Sequence, residues 1–206
     1  LGKGAMGQVW LGRHEVLHQD FALKLLVPPR KDLEDERTAH RRFENEAQIA
    51  AALSRRSRHV VAVTDFGADD GLSYLVMELL EGETLEARLE RGTLDRDEVV
   101  RLVAGIAQGL AAAHDLGVTH RDLKPANVFL ARDRDGSTVV KLLDFGIARL
   151  SKRIVPPRSP AAPADPTKLT VKGVVLGTPA YMSPEQAMAE ETDARADVWS
   201  LAVIAF

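Results

Sequence analysis

The chain has 206 residues, 45% of them hydrophobic, which is enough to bury a core and too many for a disordered tail or a fibre. Thirty acidic residues against 27 basic ones leave a net charge of -3, so no overall positive field holds nucleic acid or an anionic membrane. The lack of cysteine excludes disulfide frameworks, thiolate metal sites and cysteine nucleophiles and suits a cytoplasmic setting, and no apolar stretch approaches the roughly 20 residues that span a bilayer.

The chain opens inside a glycine-rich turn, LGKGAMG, and stops inside the apolar run DVWSLAVIAF with no capping signal after it, as expected of a fragment cut at both ends. Gly2, Gly4 and Gly7 precede a β run, and backbone amides in such a turn can close around phosphate oxygens. An ordinary glycine turn reads the same way, and a strand in place of a helix after it argues against a dinucleotide-binding fold. The runs QVWLGRH, DFALKLLV, VVAVTDFG and LSYLVMELL predict strands from Gln8 to about Leu79, the last two flanking a hairpin-type turn at Ala68-Asp69-Asp70-Gly71. Between Lys31 and Arg56 the spacing becomes helical, with Phe43, Ala47, Ala50 and Leu53 on one face. Lys24 lies in an apolar strand, where it must face solvent or meet an anion, because an unpaired buried ammonium is costly. Glu46, on the helix behind it, could supply the carboxylate.

After Glu81-Gly82-Glu83 helices take over, the clearest from Asp97 to Leu116. Val99, Val100, Val103, Ile106, Ala107 and Leu110 make its apolar face, and Gly117 ends it. Two short strands are predicted at Asn127 to Leu130 and Val139 to Leu143, around the polar turn ARDRDGS. Five of the ten prolines crowd into 156–166, which can hold neither ladder nor helix, so 150–176 is expected to be a mobile loop. No internal repeat supports a solenoid.

HRDLKPAN, at 120–127, concentrates polar groups in a proline-interrupted loop before a strand, a cluster that packing does not explain. Asp122 can accept a hydroxyl proton, Lys124 can neutralise phosphate, and the Asn127 oxygen can coordinate a hard cation. Twenty-two positions after Asp122, Asp144 emerges from a strand in LLDFG, where it could hold a second metal bond.

In order, GKGAMGQV, FALK, Glu46, HRDLKPAN, DFG, GTPAYMSPEQ at 177–186 and DVWSL at 197–201 resemble the motif set of the protein kinase family, especially bacterial serine/threonine kinases of the eukaryotic-like type. The match covers essentially the whole chain. It implies an α+β bilobal fold: an ATP-binding lobe at 1–78, with a small antiparallel sheet and one long helix, then a mainly helical, incomplete catalytic lobe at 79–206. Residues 150–176 would form the activation loop. The resemblance further implies ATP and magnesium, or manganese in its place, as cofactors. Gly2, Gly4 and Gly7 would cover the phosphates, Lys24 fixed by Glu46 would hold two of them, and Asn127 and Asp144 would hold the metal. Val9, Ala22, Met77 as gatekeeper and the hinge from Glu78 to Leu80 would meet adenine. Asp122 would be the base and Lys124 would stabilise the moving phosphoryl group.

Lys124 and Thr178 resemble the serine/threonine class, so protein serine and threonine hydroxyls are the expected acceptors, with no nucleic acid partner and no membrane contact by this segment. Arg121 beside Asp122 resembles kinases activated by loop phosphorylation, with Thr170 the preferred site, Thr167 the second, and self-association a route to phosphorylation in trans. Many bacterial relatives carry T-x-T-G there, whereas Lys172 takes the second threonine's place. Two other readings compete: an inactive pseudokinase scaffold, which would typically lose residues present here, and a small-molecule phosphotransferase, which would lack GTPAYMSPEQ. Two decoys are set aside. His14-Glu15-Val16-Leu17-His18 fits a zinc-protease pattern but falls between two β runs, where the resemblance places a hairpin. Asp65-Phe66-Gly67 is a second DFG that precedes the HRD loop, so metal binding falls to Asp144.

Overall fold

The computed structural model describes residues 2–4, 7–26, 44, 47–69, 72–133, 135–145 and 179–206. Strands β1 (Gly2–Gly4), β2 (Gly7–Arg13), β3 (Asp20–Leu26), β4 (Val63–Asp69) and β5 (Leu72–Glu78) form one antiparallel sheet in the order β1-β2-β3-β5-β4. Side chains alternate across a strand, so Ala22 and Lys24 share a face of β3. The register sets Ala22 opposite Met77 and Leu11, and Lys24 opposite Leu75 and Val9. Helix α1, over 47–54, buries Ala47 and Leu53, two of the positions its periodicity predicts.

A second antiparallel sheet joins β6 (Gly82–Thr84), β7 (Val128–Arg132) and β8 (Thr138–Leu142). Three residues are too few to show alternation, so β6 is invisible to a pattern reading. Its first residue has φ +140°, and a Cβ there would sit 2.0 Å from the Leu130 carbonyl oxygen. Gly82→Ala is therefore expected to destabilise the domain by about 2–4 kcal/mol, read as a lower urea midpoint. An unchanged midpoint would mean that the β6–β7 pairing is not needed in the fold.

Helix α2 (Leu85–Glu90) starts at Thr84, whose Oγ1 accepts from the Ala87 N–H. Helix α3 (Arg96–His114) starts at a capping box: the Asp95 carboxylate accepts from the Glu98 N–H, and Glu98 accepts from the Asp95 N–H. It ends near Gly117, which has φ +70°, with the Val118 N–H bonded back to the Ala113 carbonyl. The buried face differs from the expected one. Leu102, Gly105, Ile106, Gly109, Leu110 and Ala113 are inside, whereas Val100 is 60% exposed and Ala107 is exposed. The reason is close approach to β8: a Cβ at Gly105 would lie 2.9 Å from Val140 Cβ, and one at Gly109 2.7 Å from Leu142 Cδ1. A face defined by large apolar side chains rotates away from the glycines that make the contact.

The last elements are α4 (Pro184–Ala187) and α5 (Arg195–Ala205). The larger core gathers Leu53, Leu85, Ile106, Leu123, Val128 and Leu142. Residues 59–61 stitch β8 to the chain entering β4, through Leu142 N–H to the His59 carbonyl and Val61 N–H to the Leu142 carbonyl. Both sheets are thereby tied together next to Leu143 and Asp144. Among the described residues no helix is long and apolar enough to cross a membrane.

Candidate active site

A smaller apolar cluster lies on the face of the first sheet that carries Lys24. Ala22, Val61 and Met77 are its buried members, with Val9, Val63, Leu75, Leu79, Leu80 and Leu143 packed against them. Four residues singled out from the sequence, Val9, Ala22, Met77 and Leu80, thus meet in one place. Leu79 and Leu80 lie between the two ladders. The Glu78 side chain turns away to accept from the Ala62 N–H at 2.7 Å and from Lys141 Nζ at 2.6 Å, while its own N–H donates to the Ala62 carbonyl.

At the edge of that cluster Lys24 Nζ lies 2.5 Å from Asp144 Oδ1. The ammonium is largely buried, so the ion pair answers the question that an apolar strand with a lysine raises. Glu46, the other expected partner, lies outside the described residues, as do residues 150–176, expected as a loop from the sequence, with Thr167 and Thr170, and Thr178. Asp144 lies two residues beyond the end of β8 and has φ +47°. The Leu143 N–H donates to the Asn127 carbonyl at 2.9 Å, which brings the two expected metal-binding residues onto adjoining backbone.

Asp122, Lys124 and Asn127 converge. Lys124 Nζ is 3.0 Å from Asp122 Oδ2, and Asn127 Nδ2 donates to the Asp122 carbonyl at 2.7 Å and to Oδ2 at 3.1 Å. With its amide nitrogen so engaged, Asn127 keeps its side-chain oxygen as the acceptor for a cation. That oxygen and the Asp144 carboxylate are hard donors, and one or two such groups beside substrate phosphates suit magnesium.

The loop is held from behind. His120 is fully buried; its Nε2–H donates to the Leu143 carbonyl at 3.0 Å, and its ring packs on Phe145 with centroids 4.7 Å apart. Burial pushes its pKa below the usual imidazole value, so the ring is neutral and its Nδ1 accepts from the Asp122 N–H. Asp197, 1% exposed, accepts from the N–H groups of His120 and Arg121 and from His114 Nε2, each at 2.8 Å. One turn along α5, Ser200 Oγ donates to the Tyr181 carbonyl, so one helix face supports both the loop and the Pro179–Tyr181 turn. In the sequence DVWSL is only a landmark in the motif order, and the role of Asp197 does not show. The available signal was a carboxylate heading an otherwise apolar run, since aspartate is almost never fully buried unless paired.

The decoys resolve as turn and strand. His14 and His18 sit in the turn joining β2 and β3, exposed, with His14 Nδ1 accepting from the Val16 and Leu17 N–H groups. Asp65 is an exposed residue of β4 whose carboxylate accepts from the Phe66 N–H.

A sheet that buries a lysine against a carboxylate, over a loop that presents aspartate, lysine and asparagine together, has the layout of a kinase-type domain. The chain belongs to the protein kinase family: the protein kinase domain matches residues 1–206. It is 40% identical over 206 residues to the serine/threonine-protein kinase pkn2 of Myxococcus xanthus, covering 100% of this chain and 23% of that protein. It is 39% identical over 211 residues to the serine/threonine-protein kinase PknB of Mycobacterium leprae, covering 100% of this chain and 30% of that protein. The chain therefore spans less than a third of the length of these curated relatives. Among solved structures it is similar to the PknI kinase domain of Mycobacterium tuberculosis, with a TM-score of 0.68 and 30% identity, covering 100% of this chain and 68% of that one.

Proposed function

We propose that this chain is the catalytic segment of a protein kinase that transfers the γ-phosphoryl group of ATP to serine and threonine hydroxyls of proteins. The observation that carries the reading is the convergence of Lys124 and Asn127 on the Asp122 carboxylate, next to the Lys24–Asp144 pair. The apolar cluster around Ala22 and Met77 is the adenine site, with hinge main-chain groups at Glu78 to Leu80 meeting the base edge. Gly2, Gly4 and Gly7, in β1 and at the head of β2, cover the phosphates, and Lys24 holds two of them with Glu46 as its second partner.

Asn127 and Asp144 would hold magnesium, which when bound would neutralise charge on the phosphates. The acceptor hydroxyl gives its proton to Asp122 as its oxygen bonds to the γ-phosphorus and the bond to the β-phosphate oxygen breaks, releasing ADP. Lys124 keeps the Asp122 carboxylate in place and offers positive charge to the phosphoryl group in flight. Catalysis of this kind is mostly positioning and charge neutralisation. A loop phosphate on Thr170 or Thr167, paired with Arg121, is the regulatory device that fits this site.

The test is incubation of the full-length protein with magnesium and ATP, with phosphate mapped by mass spectrometry, beside a Lys24→Met twin. Phosphate on serine or threonine in the parent and a rate lowered by about 100-fold in the twin are expected, since Lys24 supplies one of the fixed charges. ATP binding without transfer to itself or to casein would sink the proposal.

A further inference from the structure

We infer that Gln186 is a positioning residue for the catalytic loop, through the carbonyl of the residue preceding Asp122; this rests on the kinase reading above. Arg121 has φ +63°, a left-handed geometry that a side chain with a Cβ adopts only when its surroundings impose it. Two peptide units must be gripped to keep it there, one on each side of its Cα.

The preceding unit is gripped by Asp197 Oδ1, which takes the Arg121 N–H at 2.8 Å. The following unit carries Asp122. Its carbonyl, Arg121 O, accepts from Gln186 Nε2 at 2.8 Å, while its N–H reaches His120 Nδ1 only at 3.4 Å. A bond at 2.8 Å lies within the usual range and one at 3.4 Å at its weak limit, so Gln186 is the stronger restraint on rotation of that unit. Rotation there would swing the Asp122 carboxylate away from Lys124 and Asn127. Gln186 belongs to α4, and its Oε1 also accepts from the Ser183 N–H at 3.1 Å, which pins the side chain at both ends. Arg121, Asp122, Lys124, Tyr181, Met182 and Gln186 line one small recess, so α4 and the turn before it form a wall of the catalytic loop's own pocket. This assigns a function to one residue of the GTPAYMSPEQ run that the chemistry above does not use.

The test separates this role from simple helix capping. Gln186→Glu keeps an acceptor for the Ser183 N–H and loses the donor to Arg121 O, whereas Gln186→Met loses both at similar volume. In the full-length protein, both variants are expected to lower kcat toward casein by about 10- to 100-fold with KM for ATP within about twofold, the signature of a misplaced base at an intact nucleotide site. Amide hydrogen exchange across residues 120–123, measured without nucleotide, is expected to quicken in Gln186→Glu while the melting temperature stays near the parent's. Full kcat in Gln186→Glu, or unaltered exchange there, would overturn the inference and leave Gln186 as a cap. No phosphate transfer by the parent would instead defeat the kinase reading, and the exchange measurement would still decide whether Gln186 holds the loop.

Discussion

Asp122→Asn is expected to lower phosphate transfer by about 10²- to 10⁴-fold while ATP still binds, because the amide cannot take up the acceptor's proton. The structure makes the substitution a clean one. Asparagine has the same shape, its remaining side-chain oxygen can still accept from Lys124 and Asn127, and the backbone on either side is held by Asp197, Gln186 and His120. Folding should therefore survive, and the loss should appear in kcat with little change in KM for ATP. A single-turnover assay at saturating ATP reads the first effect and fluorescence titration with a nucleotide analogue reads the second. Retention of more than about a tenth of the parent rate would remove Asp122 from the role of base.

Asp197→Ala should act on the fold more than on the chemistry. Three donors, two main-chain N–H groups and the His114 ring, converge on one carboxylate with almost no solvent access. Hydrogen bonds to a charged group are worth more than neutral ones, and the two amides left behind have no water to turn to. The expected cost is about 3–5 kcal/mol, a large share of the stability of an ordinary domain. It should appear as a melting temperature lowered by on the order of 10 °C. Asp197→Asn keeps one acceptor oxygen and should fall between the two. Parent-like melting of Asp197→Ala would show that the α3, catalytic-loop and α5 junction is not a stabilising centre.

Strands β2 to β5 were legible because alternating β-branched and aliphatic residues bounded by turns leave one solution for their faces, whereas β1 at Gly2–Gly4 lies where the sequence suggested only a glycine-rich turn. The polar cluster from His120 to Asn127 was legible for the opposite reason, since no packing requirement would place so many charges beside a proline. Helix α3 shows where pattern reading stops. Its existence followed from apolar spacing and its end was marked by Gly117, but the Asp95–Glu98 capping box that starts it was not read, and its buried side is set by Gly105 and Gly109, which carry no hydrophobic signal. Strand β6 escaped because it is short and owes its place to a neighbour's carbonyl.

The family, and the residues proposed to carry its chemistry, can be written down from residue type and order, because such groups are selected by bond-making needs that any fold must meet. Their mutual placement belongs to the tertiary structure. Lys24 and Asp144 are 120 positions apart, and Asp197 meets His120 across 77. No local pattern encodes a contact between such distant residues. It exists only once two sheets and two helices have packed, and burial then turns a carboxylate on an apolar helix into the support of a strained loop.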